Sequence, residues 1–120
     1  MNIMTKVLIS ITLMTVAPIV LACDYPAPPK NLPDGASASK EEMLAGVKMI
    51  AAYQENMTEY LTCIEADEIF ATQSLADDDN EGRKQLKTMS NKKYNAAVDE
   101  QTRTVELFNS EIRAYKARSK

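Results

Sequence analysis

Histidine and tryptophan are absent from this chain, glycine occurs three times, and cysteine and phenylalanine twice each. Without histidine, the commonest general base near neutral pH is missing, as is the usual imidazole ligand for zinc or copper. No nucleophile stands beside a base in the sequence, so the chain reads as non-enzymatic and as needing no cofactor. Excess positive charge is lacking too: 14 Lys+Arg stand against 17 Asp+Glu. Nucleic-acid binding needs clustered cations, which argues against that partner class. The one long apolar stretch, near the start, is broken by Pro18 and falls short of the roughly 20 residues of a membrane span.

That stretch has the grammar of a secretory signal. Lys6 is the charged start, Val7 to Ala17 the apolar core, and Val20-Leu21-Ala22 the small-residue cleavage site. Residues 1–22 are therefore expected to be removed on export, placing the mature chain in the periplasm or outside the cell. Losing Lys6 leaves 13 cations against 17 carboxylates, a net charge of −4.

Cleavage after Ala22 makes Cys23 the first mature residue and gives it two fates. In an oxidising compartment it pairs with Cys63. Alternatively, Val20-Leu21-Ala22-Cys23 acts as a loose lipobox and Cys23 is lipidated, which strands Cys63 as a lone thiol. The pairing is preferred, and it closes a loop of 41 residues counted inclusively. Chain entropy gives such a closure about 4 kcal/mol.

Residues 23–38 hold Pro26, Pro28, Pro29 and Pro33, which exclude a helix and favour an extended arm. Ser39 followed three residues later by Glu42 is a capping box, so a helix is expected over 39–75. The acidic stretch Asp77 to Gly82 interrupts the pattern, and a second helix is expected over 81–117. The fold class is thus all-α: an antiparallel two-helix hairpin, coiled-coil-like, preceded by a Pro-rich arm.

Heptad spacing selects Met43, Val47, Ile50, Gln54, Met57, Leu61 and Ile64 as the seam of the first helix. Tyr94, Val98, Gln101, Val105, Phe108, Ile112 and Tyr115 follow the same rule in the second. A fold point at residues 77 and 78 pairs Met43 with Ile112, Ile50 with Val105, Gln54 with Gln101 and Glu68 with Lys87. Gln54 and Gln101 are expected to meet and set the register, because an unpaired buried amide costs on the order of 1–3 kcal/mol. Cys63 lies off this seam on a stripe with Met49, Asn56 and Phe70, which the arm can reach and cover.

Other motifs read as structural. Asp77-x-Asp79-x-Glu81-Gly82 opens like a calcium loop, but Thr88 stands where the bidentate glutamate belongs. No metal site is expected there, only a capping turn. Met43, Met49, Met57 and Met89 are spread out as packing residues rather than copper ligands. Asn56-Met57-Thr58 fits a glycosylation triplet that matters only in a eukaryotic host. Tyr53 and Tyr60 are expected to flank the core with their hydroxyls in water.

Cys23-Asp24-Tyr25-Pro26, Leu32-Pro33-Asp34-Gly35-Ala36-Ser37, Tyr60-Leu61-Thr62-Cys63, Tyr94-Asn95-Ala96-Ala97-Val98-Asp99-Glu100, Phe108-Asn109 and Arg113-Ala114-Tyr115-Lys116 resemble a family of small, uncharacterised exported proteins of proteobacteria. The resemblance spans most of the mature chain. It implies a bacterial envelope location and fits the cysteine pairing, and it carries no activity or site residues. The functional expectation is a non-catalytic envelope protein with a structural or protein-binding role. Its partner is an unidentified protein or a second copy in a four-helix bundle, since one hairpin buries only one stripe per helix. The alternatives are a lipoprotein displaying the hairpin from a membrane or, less favoured, a small-ligand carrier or enzyme.

Overall fold

The structure, a computed structural model, describes residues 22–120, so the expected leader lies outside the described residues except for Ala22. An extended arm leads into two helices, α1 over Lys40–Gln73 and α2 over Asn80–Arg118, which pack as a hairpin. At 1.5 Å per residue these are rods of about 51 and 58 Å. Their ends fall within two residues of the expected ones.

Local chemistry accounts for those ends. Ser39 Oγ accepts the Glu42 N–H at 3.1 Å, while the Ser39 N–H donates to Glu42 Oε2 at 2.6 Å, completing the capping box. That bond from the Ser39 backbone, with help from its hydroxyl, holds the Glu42 carboxyl below its ordinary pKa. At the far end, the Ser74 N–H bonds back to the Ala71 and Thr72 carbonyls. The turn over 74–79 hands over to α2, whose N-cap Asp79 accepts the Gly82 N–H at 2.8 Å. Arg83 reaches back across the turn and donates to the Ala76 carbonyl at 3.0 Å. The acidic stretch thus serves as a cap, and among the described residues no group of three metal-ligating side chains is gathered.

The expected register holds near the tip, where Lys87 Nζ and Glu68 Oε1 form an ion pair at 3.4 Å. Toward the open end, Met43, Ile50 and Phe108 share one core cluster, with Val105 and Ile112 packed against it. The rotation of the helices differs from expectation. On α1 the buried line runs Met43, Gly46, Ile50, Tyr53, Met57, Tyr60 and Ile64. Gly46, Tyr53 and Tyr60 occupy the places assigned to Val47, Gln54 and Leu61. On α2 the buried positions are Ala97, Thr104 and Phe108.

Gln54 is accordingly exposed and Gln101 only half-buried, and no hydrogen bond joins them among the described residues. The register-setting amide pair is not formed. The reason is a third packing partner. The arm lies along the flank of α1 that carries Cys63, so the most enclosed line on α1 shifts toward that flank. Tyr53 and Tyr60 move with it into the core, at 3% and 9% exposure, rather than standing in water.

Candidate functional site

Three elements meet along the arm, and the arm is fixed at both ends. At its start Cys23 and Cys63 are joined at an S–S distance of 1.97 Å, with their Cα atoms 5.7 Å apart. A sulfur in that bond has no place for an acyl chain. Two residues on, the Tyr25 ring meets the Tyr60 ring edge-to-face, with centroids 5.0 Å apart. Partial burial of the Tyr25 phenol raises its pKa above 10.0, and the nearby Tyr53 and Glu100 add to the shift. Beside this junction lies a shallow hollow of about 350 Å³ bordered by Asp24, Pro26, Asn56 and Glu59.

Further along, Asn31 takes a left-handed turn (φ 60°), a conformation asparagine tolerates better than most residues. The chain then closes a turn in which the Asp34 carbonyl accepts the Ser37 and Ala38 N–H groups. This turn docks on the last part of α2. The Gly35 N–H donates to Glu111 Oε2 at 2.8 Å. Arg118 donates from Nε to the Gly35 carbonyl at 3.3 Å and from Nη2 to the Ala38 carbonyl, and its guanidinium stacks over Tyr115. The approach requires glycine: a Cβ at residue 35 would lie 1.8 Å from the Glu111 carbonyl oxygen. The arm is therefore a strap, stapled to α1 at one end and clamped to α2 at the other.

Gly46 marks where strap, α1 and α2 converge. A Cβ there would come within 2.7 Å of both the Phe108 ring and the Pro33 ring. In sequence this glycine looks like a weak spot in a helix, yet it is the seat for two rings. A glycine inside a strong helical pattern is itself the signal of such an approach. Gly35 and Glu111 carry no comparable signal in the sequence, and Arg118 is there simply a cation suited to a helix C-terminus.

Several sequence candidates separate in space. Of the stripe expected under the arm, Met49 is half-buried and Asn56 exposed, and Phe70 is 71% exposed. From its bond at Cys63 the described strap runs away from Phe70 and leaves it uncovered. Met43 and Met57 are core, whereas Met89 is exposed. Tyr53 Oη is buried without a hydrogen-bond partner, a consequence of the tyrosine row having turned inward. Hollows on the described surface are shallow and open, bordered by the strap and the flank of α1. No described helix is long and apolar enough to cross a membrane. No protein-family model, curated protein or solved structure matches the chain.

Proposed function

We propose that the mature chain is exported and works in the bacterial envelope as a non-catalytic, protein-binding helical hairpin whose strap is locked by the Cys23–Cys63 bond. The carrying observation is that bond itself. It ties the first residue after the expected cleavage site to the second half of α1, an arrangement suited to an oxidising compartment. The leader grammar of residues 1–22 and the resemblance to exported proteobacterial proteins support the same location. A protein-binding role is supported by apolar side chains left on the helix flanks, Leu44 and Val47 on α1 and Tyr94 on α2.

The test is intact and non-reducing peptide mass analysis of the protein recovered from the envelope of a bacterial host. The reading expects a chain beginning at Cys23, two hydrogens lighter than the dithiol, with the Cys23 and Cys63 peptides linked. A mass raised by acyl chains on Cys23 overturns it in favour of a membrane-anchored lipoprotein. An uncleaved chain confined to the cytoplasm overturns export altogether.

A further inference from the structure

Two antiparallel helices form a ribbon with two faces, and the strap covers one. Taking 100° per residue around each helix, Cys63 and Tyr60 on α1 and Glu111 and Arg118 on α2 mark the strapped face. The opposite face carries Val47, Gln54 and Leu61 on α1 and Tyr94, Gln101 and Val105 on α2. These are six of the fourteen positions that heptad spacing selects, left at the margin of the hairpin's own core by the rotation of the helices toward the strap. Val47 is 47% exposed and Tyr94 36%. None of the six is charged, and depletion of charge is what distinguishes an interface core from ordinary surface.

We infer that this unstrapped face binds a second copy of the chain, pairing two hairpins into a four-helix bundle. The inference rests on the protein-binding reading above and names the partner. Three features select a second copy. First, the two amides share one level of the ribbon, with apolar residues of this face on either side of each, Val47 and Leu61 around Gln54, Tyr94 and Val105 around Gln101. A two-fold axis through that level sets amides against amides and apolar rows against apolar rows, as an isologous contact requires. Second, a partner with a purely apolar face would strand both amides, at about 1–3 kcal/mol each. This chain's own face supplies the missing partners. Third, the patch from the Leu61–Tyr94 level to the open end is about 25 Å long, taking 1.5 Å per residue. Two helices wide, at about 20 Å, it offers about 500 Å² per copy, or about 1,000 Å² in total, which reaches the lower bound for a biological interface and places the contact in the weak, concentration-dependent class.

The experiment is sedimentation equilibrium of the disulfide-bonded mature protein over micromolar to millimolar concentrations, with Val47→Glu and Tyr94→Glu beside the wild type. A Leu107→Glu variant serves as control, because Leu107 is exposed on the strapped side of α2. The wild type and Leu107→Glu are expected at twice the chain mass. Val47→Glu and Tyr94→Glu, still helical by circular dichroism, are expected to weaken the dimer at least about tenfold, as a buried unpaired charge does. A wild type that stays monomeric to millimolar concentration overturns the inference. So does dimerisation undisturbed in both face variants, or disturbed equally by Leu107→Glu. If either charged variant fails to fold, the other decides. None of these outcomes touches the mass analysis that tests export, so the two readings fail separately.

Discussion

Replacing Gly46 by alanine sets two effects of opposite sign against each other. Alanine favours a helix interior by about 1 kcal/mol over glycine, so intrinsic propensity alone says the variant is more stable. The new Cβ, however, would stand 2.7 Å from Phe108 Cε2 and 2.7 Å from Pro33 Cγ. Carbon atoms are comfortable at about 3.5–4.0 Å, so both rings must retreat by nearly 1 Å. Neither has an easy route. Phe108 is buried, and the strap carrying Pro33 is held by the disulfide on one side and the Gly35 clamp on the other. Overpacking a closed core costs about 1–3 kcal/mol, and the double obstruction places this site in the upper part of that range. Gly46→Ala should therefore be destabilised by about 1 kcal/mol net, lowering Tm by about 4–8 °C for a domain of this size. Urea unfolding gives the free energy. Ala96→Gly, at an exposed site of α2, calibrates the propensity effect in this protein. In a Phe108→Ala background one ring is gone, and the penalty should shrink by about 1 kcal/mol, a coupling that the double-mutant cycle reads directly. If Gly46→Ala instead raises stability by the full propensity gain, the three-way junction is not closed as described.

Removing both cysteines, Cys23→Ser with Cys63→Ser, should lower stability by up to about 4 kcal/mol, the chain-entropy value for this loop; urea unfolding that shows no loss would mean the strap is held without its staple. Gly35→Ala cannot keep the turn seated against Glu111, so the amides of residues 35–38 should lose hydrogen-exchange protection while those of mid-α1 keep theirs. Uniform loss across both helices would mean instead that the clamp supports the whole hairpin. Acid should weaken the fold through Glu42 and Glu68, whose pKa values are both held below the ordinary 4.5. Glu42 is lowered by the Ser39 backbone N–H, and Glu68 by the Ser90 hydroxyl and then Lys87. A depressed folded-state pKa means a contribution fully present above about pH 4.5 and lost as pH falls through the lower folded value. Glu42→Gln combined with Glu68→Gln should flatten that acid limb, as followed by ellipticity at fixed urea, and an unchanged limb would assign the loss to other carboxylates.

Much of this architecture is written in the sequence because its signals are local. Proline density excludes a helix before Ser39, the Ser39–Glu42 box starts α1, and the absence of proline thereafter lets both helices run. Pairing across the hairpin was also legible, since the turn position alone brings Glu68 opposite Lys87. Rotation about the helix axes was not. Heptad spacing selected one stripe on α1, and the observed line shares its Met43, Ile50, Met57 and Ile64 but differs at three places, each by one residue. The selected stripe carries Val47 and Leu61, and a Gln54–Gln101 pair accounts for its polar breaks. Tertiary contact decided for the stripe with Gly46, Tyr53 and Tyr60, because burial is greatest where a helix touches both its partner helix and the strap. No helical periodicity contains the strap, whose course depends on a bond between residues 40 positions apart and on a clamp spanning 76. The sequence by itself determined which segments are rods and where the chain turns. Only the folded molecule decided which side of each rod faces inward, because that depends on everything packed around it at once.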